Sequence, residues 1–112
     1  MQSESEYRNR IHELYKVIEN AFENIDPDIA ECENTLGAMT LVFADQTRCI
    51  LSAQPSVRQL WLALASRGTA YHFNYDESSR KWMDDKGRGD LNSILEEFFF
   101  EMTGIKIGVN QP

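Results

Sequence analysis

Cysteine is scarce in this chain: two residues in 112, Cys32 and Cys49. Their spacing forms no CxxC and no metal-ligand pair, which excludes a zinc ribbon, a thiol–disulfide motif and a disulfide scaffold. Both fall in apolar, strand-like runs and read as buried, reduced thiols; a disulfide would require their strands to be neighbours. Proline and glycine are few, three and six, and there is no linker, repeat or low-complexity segment. No apolar run approaches the ~20 residues that a membrane helix needs. The start, MQSESEYRNR, has no apolar stretch of the kind a secretory signal carries and is not the Arg-rich, acid-poor pattern of a transit peptide. Histidine is limited to His12 and His72. They are far apart at positions that read as solvated, and no serine or cysteine nucleophile has a placed histidine.

An excess of positive charge is also absent. The net charge is −7, and the first 33 residues hold nine of the 18 acids but three of the 11 bases. Nearly all of the excess therefore sits in the first third. That argues against a nucleic-acid partner on this side and favours a cation, a basic protein surface or simple solubility.

Hydrophobic and charged fractions, 42% and 26%, are those of an ordinary globular domain. A chain of this length forms one domain and buries roughly 60–70% of its unfolded surface. The expected organisation is a single unit over 1–112, with 1–5 disordered and 108–112 a tail. From Tyr7 to Asn24 the apolar residues Ile11, Leu14, Tyr15, Ile18 and Phe22 recur at helical spacing, with Ser3 or Ser5 as cap and Pro27 as stop. From Ile29 the period changes to two. Short strands are predicted over 29–34, 39–43, 48–52, 59–64, 70–75 and 81–83, with a turn at 35–37 and another at 85–89. Asp90 then caps a second helix that carries Leu91, Ile94, Leu95, Phe98, Phe99 and Met102, with Gly104 closing it. The predicted fold class is α+β: a two-layer sandwich, its antiparallel sheet of five to six strands carrying the N- and C-terminal helices on one face. The other sheet face meets water.

Several short patterns do not extend into sites. GRGD at 87–90 lacks a third glycine and follows an antiparallel strand, so it is no dinucleotide loop. Asp26–Asp28 and the DDKG at 84–87 do not continue into a calcium loop. The acidic set is more informative. On a helix Glu19 and Glu23 lie one turn apart, Asp26 comes nearly a turn later, and Glu31 and Glu33 share one face of the next strand. Like charges at this spacing cost a few tenths of a kcal/mol per pair. A hard, oxygen-preferring cation or a basic protein face would relieve them. A solubilising helix face beside a charge-guarded edge strand also explains them, and Lys16 on the same stripe favours that alternative.

The stretch QLWLAL, Gln59–Leu64, raises a separate question. As a strand it buries Leu60, Leu62 and Leu64 and turns Gln59, Trp61 and Ala63 to the wet face. Leaving a tryptophan there forgoes about 2.5–5 kcal/mol of burial, and tryptophan is enriched among binding hot spots.

The run from Ser52 through Gln54 to Gln59, Trp61, Leu62 and Ala63, with Tyr71-His72-Phe73, Trp82 and the closing helix downstream, resembles the frataxin signature in its bacterial form. The stretch from Asp28 to Glu33 is similar to the acidic first strand of that family, and the resemblance covers about 6–107. It implies an iron-binding protein of iron–sulfur cluster assembly, an iron donor or sensor that also regulates the cysteine desulfurase–scaffold complex. It implies weak binding of ferrous and ferric iron, with other divalent cations substituting, on a ridge of Glu19, Glu23, Asp26, Asp28, Glu31 and Glu33. The same resemblance places partner contacts at Gln59 and Trp61, with Ser52 alongside. Asn20 and Asn24 stand where relatives often carry acids, and Ser52 where they carry asparagine.

The expected protein is a binding module, not an enzyme, without nucleic-acid or membrane partners. It is expected to be monomeric, with iron-driven oligomers possible, and cytoplasmic, or in the mitochondrial matrix if a processed eukaryotic form. Affinity for a cation held by few carboxylates and water should be modest and fall on acidification. A metal-independent acidic adaptor or inhibitor of a basic protein is the alternative. A ferroxidase or iron-storing oligomer would place histidine and bridging carboxylates inside a helix bundle, whereas these acids lie outside.

Overall fold

The helical stripe read from the sequence closes on the core: Tyr7, Ile11, Leu14, Tyr15, Ile18 and Phe22 are all buried. In the computed structural model, which describes residues 2–35 and 37–109, they lie on α1, Glu4–Phe22. A capping box starts this helix. The Ser3 hydroxyl accepts from the Glu6 amide, and the Glu6 carboxylate accepts from the Ser3 amide, each at 3.1 Å. Within the start expected to be disordered, Ser3 is the cap and Glu4 and Ser5 form the first turn, while Met1 lies outside the described residues. The helix also ends earlier than Asn24 and well before Pro27. The amides of Glu23 and Ile25 turn back to the carbonyls of Asn20 and Phe22, a tightening typical of a last turn.

Six strands follow: β1 Ala30–Thr35, β2 Ala38–Phe43, β3 Arg48–Gln54, β4 Gln59–Leu64, β5 Thr69–Asp76 and β6 Lys81–Asp84. They pair in chain order, every neighbour antiparallel, as the short connections require. The turn predicted at 35–37 includes Leu36, which lies outside the described residues. α2, Leu91–Thr103, begins at Asp90, whose carboxylate accepts from the Ser93 amide, and ends at Gly104 with φ +73°, a conformation that favours glycine.

Alternation gives the sheet one dry face. Met39, Leu41, Phe43, Leu51, Leu60, Leu62, Leu64 and Phe73 all point into one core, each contributing roughly 1.5–3 kcal/mol by burial. Both helices cover this face. Phe22 of α1 meets Phe99 of α2 edge-on at 4.9 Å, and Phe43 of β2 meets Phe98 at 5.6 Å. The tail packs back, with Ile107 and Val109 buried and the Val109 amide donating to Glu96 at 2.9 Å; residues 110–112 lie outside the described residues. Cys32 and Cys49 flank Leu41 in one register line, β2 between their strands. Two strand spacings, about 9–10 Å, separate them, too far for a disulfide, and both are free. No described helix is long and apolar enough to cross a membrane.

The turn from β6 to α2 is built on an ion pair between buried Asp84 and exposed Arg88. The Asp84 side chain is fully covered. Its carboxylate accepts from Arg88 Nε at 2.8 Å and Nη2 at 3.0 Å, and from the amides of Lys86 and Arg88. The Arg88 guanidinium lies 4.1 Å from the centre of the Tyr71 ring. Arg88 is the main cause that holds the Asp84 carboxyl below its usual 3.8, against the opposing effect of burial. A depressed folded-state value contributes stability that is present above the ordinary carboxylate range and is lost as pH falls through the folded value. Asp84→Ala should lower unfolding free energy by about 2–3 kcal/mol in urea at neutral pH. The gap to the parent should narrow as pH drops below 3.8.

Candidate functional site

The acids predicted as one ridge are all exposed, and they gather where α1 ends beside β1. The fold brings Glu19 to β1 directly: its Oε1 accepts from Asn34 Nδ2 at 2.8 Å. Asp26 does not continue the helical stripe. It sits in the turn after the helix, where its Oδ1 accepts from the Asp28 amide at 2.9 Å and its carbonyl from the amides of Ile29 and Ala30. This Asx turn points the chain into the edge strand.

Strand pleat then divides the set. Asn34 pairs with core residue Met39 and Cys32 with Leu41, so these two lie on the helix side of β1. Glu31 and Glu33 alternate with them and stand on the open side, opposite Val42 and Thr40. The acids therefore wrap around the edge strand, Glu19 and Glu23 on one side and Glu31 and Glu33 on the other. Among the described residues no three His, Cys, Asp or Glu side chains converge to hold a metal ion.

Helix electrostatics add to this arrangement. The last turn of α1 carries no basic residue, while Glu19 and Glu23 sit at the negative end of the helix dipole, each at a cost of about 0.3–1 kcal/mol. A shallow groove of about 390 Å³ runs between this helix end and β1, lined by Glu19, Glu23, Glu31 and Cys32 among others. The Cys32 thiol is pushed up to about 11, chiefly by burial and further by Glu19 and Glu33. At neutral pH the edge thus offers oxygen donors rather than a thiolate. Such donors suit a hard cation held at one or two carboxylates with water completing its shell.

The second predicted surface is the open sheet face. Trp61 does lie on it, paired across to Ser52 on one side and His72 on the other. It is half-buried, less bare than alternation alone implied, because two neighbours cover part of it. The imidazole of His72 stacks on the indole, centroids 4.2 Å apart and planes 12° from parallel. The indole Nε1–H donates to Gln59 Oε1 at 2.9 Å, and Gln59 Nε2 donates to Asn74 Oδ1 at 3.3 Å. Alternation against Tyr71 and Phe73 already turns His72, read as simply solvated, and Asn74 to this face; their contacts with Trp61 and Gln59 are what alternation does not give. The signal for those contacts was the β4–β5 register, fixed by the short connection after Leu64. Three strand spacings, about 14 Å, separate Glu31 and Glu33 from the Trp61 strand on the same open face.

An antiparallel sheet with two helices on one side, a carboxylate-rich edge and an ordered tryptophan on the free face defines a small two-layer domain of the α+β class. The chain belongs to the frataxin family: a sequence model of the frataxin-like domain matches residues 1–105. It is 38% identical over 102 residues to the iron–sulfur cluster assembly protein CyaY of Pseudomonas fluorescens strain Pf0-1, covering 91% of this chain and 90% of that one. A protein of the same name from Azotobacter vinelandii is 34% identical over 102 residues, again 91% and 90% of the two chains. The frataxin of Psychromonas ingrahamii superposes with a TM-score of 0.85 at 23% identity, over 97% of this chain and 99% of that one. A trimeric yeast frataxin complexed with ferrous iron gives 0.71 at 23% identity, over 94% and 89%. At these identities the two structures speak for the fold alone.

The acid-flanked Cys32 thiol, half-buried rather than buried as expected, gives a direct check on the edge. At neutral pH, Cys32 in the folded protein should react with a thiol-labelling reagent roughly two orders of magnitude more slowly than free cysteine. A rate near that of free cysteine would show a thiolate donor within the acidic edge.

Proposed function

We propose that this protein acts in iron–sulfur cluster assembly as an iron-binding regulator, with ferrous iron as cargo rather than as a resident cofactor. The observation that carries the reading is the siting of the acids: Glu19 and Glu23 at the uncompensated negative end of α1, with Asp26, Asp28, Glu31 and Glu33 along the adjoining turn and edge. Fold stability alone would favour bases at that helix end. The names of the relatives at 34–38% identity support the pathway.

In this reading iron is held weakly at single or paired carboxylates on either side of β1, without a closed cage. The same acids face a basic surface on the cysteine desulfurase–scaffold complex. The open sheet face reads a different surface. Around Trp61 it presents Thr40, Ile50, Ser52, Gln59, Ala63, Ala70, His72 and Asn74, a field of apolar and neutral polar groups, with the Asp85 carboxylate beyond His72 and Arg48 farther along β3. One partner spanning both surfaces would meet charge at the edge and desolvated packing at the tryptophan. The protein supplies binding and positioning, and no catalytic step is assigned to it.

A metal-independent adaptor is the second reading, favoured by the absence of a converging ligand trio among the described residues and by Asn20 and Asn24 on the same helix end. Amide NMR during an anaerobic ferrous titration separates the two. Broadening confined to residues 19–33 is the expected result. No change up to about 1 mM iron, far above the range of sensor-type cation sites, would leave the adaptor. Glu23→Gln should raise stability by about 0.3–0.5 kcal/mol in denaturant unfolding while weakening iron binding; a loss of stability would remove the case from the helix dipole. Trp61→Ala should leave the circular dichroism spectrum intact and weaken binding to the desulfurase–scaffold complex about tenfold; unchanged affinity would remove the sheet face from the interface.

A further inference from the structure

One register line crosses the open face from β3 to the turn after β6. It runs Ser52, Trp61, His72 and then Asp85, whose amide donates to the His72 carbonyl at 2.8 Å. Along it the side chains form a connected series. Gln59 holds the edge of the indole and His72 covers one face. Asp85 Oδ2 stands 3.8 Å from His72 Nδ1. Asp85 is itself placed by its neighbour Asp84, which is locked to Arg88.

We propose that His72 is a positioning residue for Trp61, and that its protonation tightens the clamp and so tunes docking on this face with pH. The inference rests on the reading of Trp61 as a partner contact. Neutral imidazole stacks on indole through dispersion. The imidazolium adds two attractions in the geometry already present: a cation over the indole face and an ion pair with Asp85. The groups around His72 set the sign. β4 presents Trp61, Gln59 and Ala63, none charged. β5 itself contributes Ala70 and Asn74. From the β6 side come Met83 and Asp85, while the Asp84 carboxylate is turned away to Arg88, whose guanidinium donates to the Ala70 carbonyl. The nearest charge to Nδ1 is thus a carboxylate. Holding the indole in one orientation before docking removes part of the ordering cost of binding.

The first test needs no partner. In ¹⁵N-labelled protein the two indole N–H resonances report Trp61 and Trp82 separately, with Trp61→Phe giving the assignment. Between about pH 8 and about pH 5.5, the window in which histidine side chains change charge, the Trp61 resonance should shift and that of buried Trp82 should not. His72→Gln should abolish the shift, and His12→Gln should leave it. A Trp61 resonance that stays fixed, or that still moves in His72→Gln, overturns the clamp. The second test uses the desulfurase–scaffold complex at the two pH values. His72→Gln should bind roughly twofold to fivefold more weakly at the lower pH, with the gap closing at the higher one. An equal deficit at both values would reduce His72 to a structural role and overturn the tuning. Should Trp61→Ala bind as well as the parent, the docking reading itself fails, whatever the indole resonance shows.

Discussion

Everything functional on this molecule depends on the sheet having only one dry face. Six antiparallel strands alternate apolar and polar residues, and the two helices, each with a single apolar stripe, both lie on the apolar side. No described element covers the other side. Whatever stands there meets solvent in the free protein, so a half-buried tryptophan at its centre is a consequence of topology as much as of composition. The same constraint leaves β1 as a bare edge, and an edge strand without charge invites pairing with other chains. Glu31 and Glu33 guard it, which gives those two residues a structural role besides the proposed one.

The two surfaces differ in how they are held. At the acidic edge the side chains are exposed, and only Glu19 and Asp26 are fixed by hydrogen bonds. Exposed carboxylates around an open groove suit the cargo role proposed for iron, which must leave again. At the sheet face the indole is fixed on two sides before any partner arrives. Preorganised aromatic contact suits recognition, because less side-chain freedom is lost on docking. An exposed acidic edge and an ordered tryptophan thus share one small domain, joined by the open face of β1 to β4.

Beside the open face lies the Asp84–Arg88 ion pair of the β6–α2 turn, buried on its Asp84 side. Asp84 and Arg88 fix the loop that carries Asp85, and Asp85 flanks His72. Arg88 also spreads over Tyr71, on the core side of β5. The core and the wet face are therefore coupled through β5, with Tyr71 and His72 adjacent in sequence and opposite in direction. With four hydrogen bonds converging on the Asp84 carboxylate, the pair specifies a single loop geometry.

The elements, their order and the dry face were legible in the amino-acid order. Periods of 3.6 and 2.0 are local properties, and short connections leave a meander as the only economical pairing. The acids and Trp61 were legible too, since composition and alternation place them outside the core. How these residues combine is a matter of packing. Periodicity predicts that Glu31 and Glu33 share a face, but not that the pleat of β1 sets them across the strand from Glu19 and Glu23; that depends on which side α1 packs on. It likewise cannot show that His72 lies against Trp61 or that Asp85 lies beside His72. Those contacts join residues 11 and 13 positions apart, and they exist only once the β4–β5 and β5–β6 registers are fixed. Side chains across a ladder meet through pairing rather than through sequence, so the edge was legible as a charge pattern and the clamp was not.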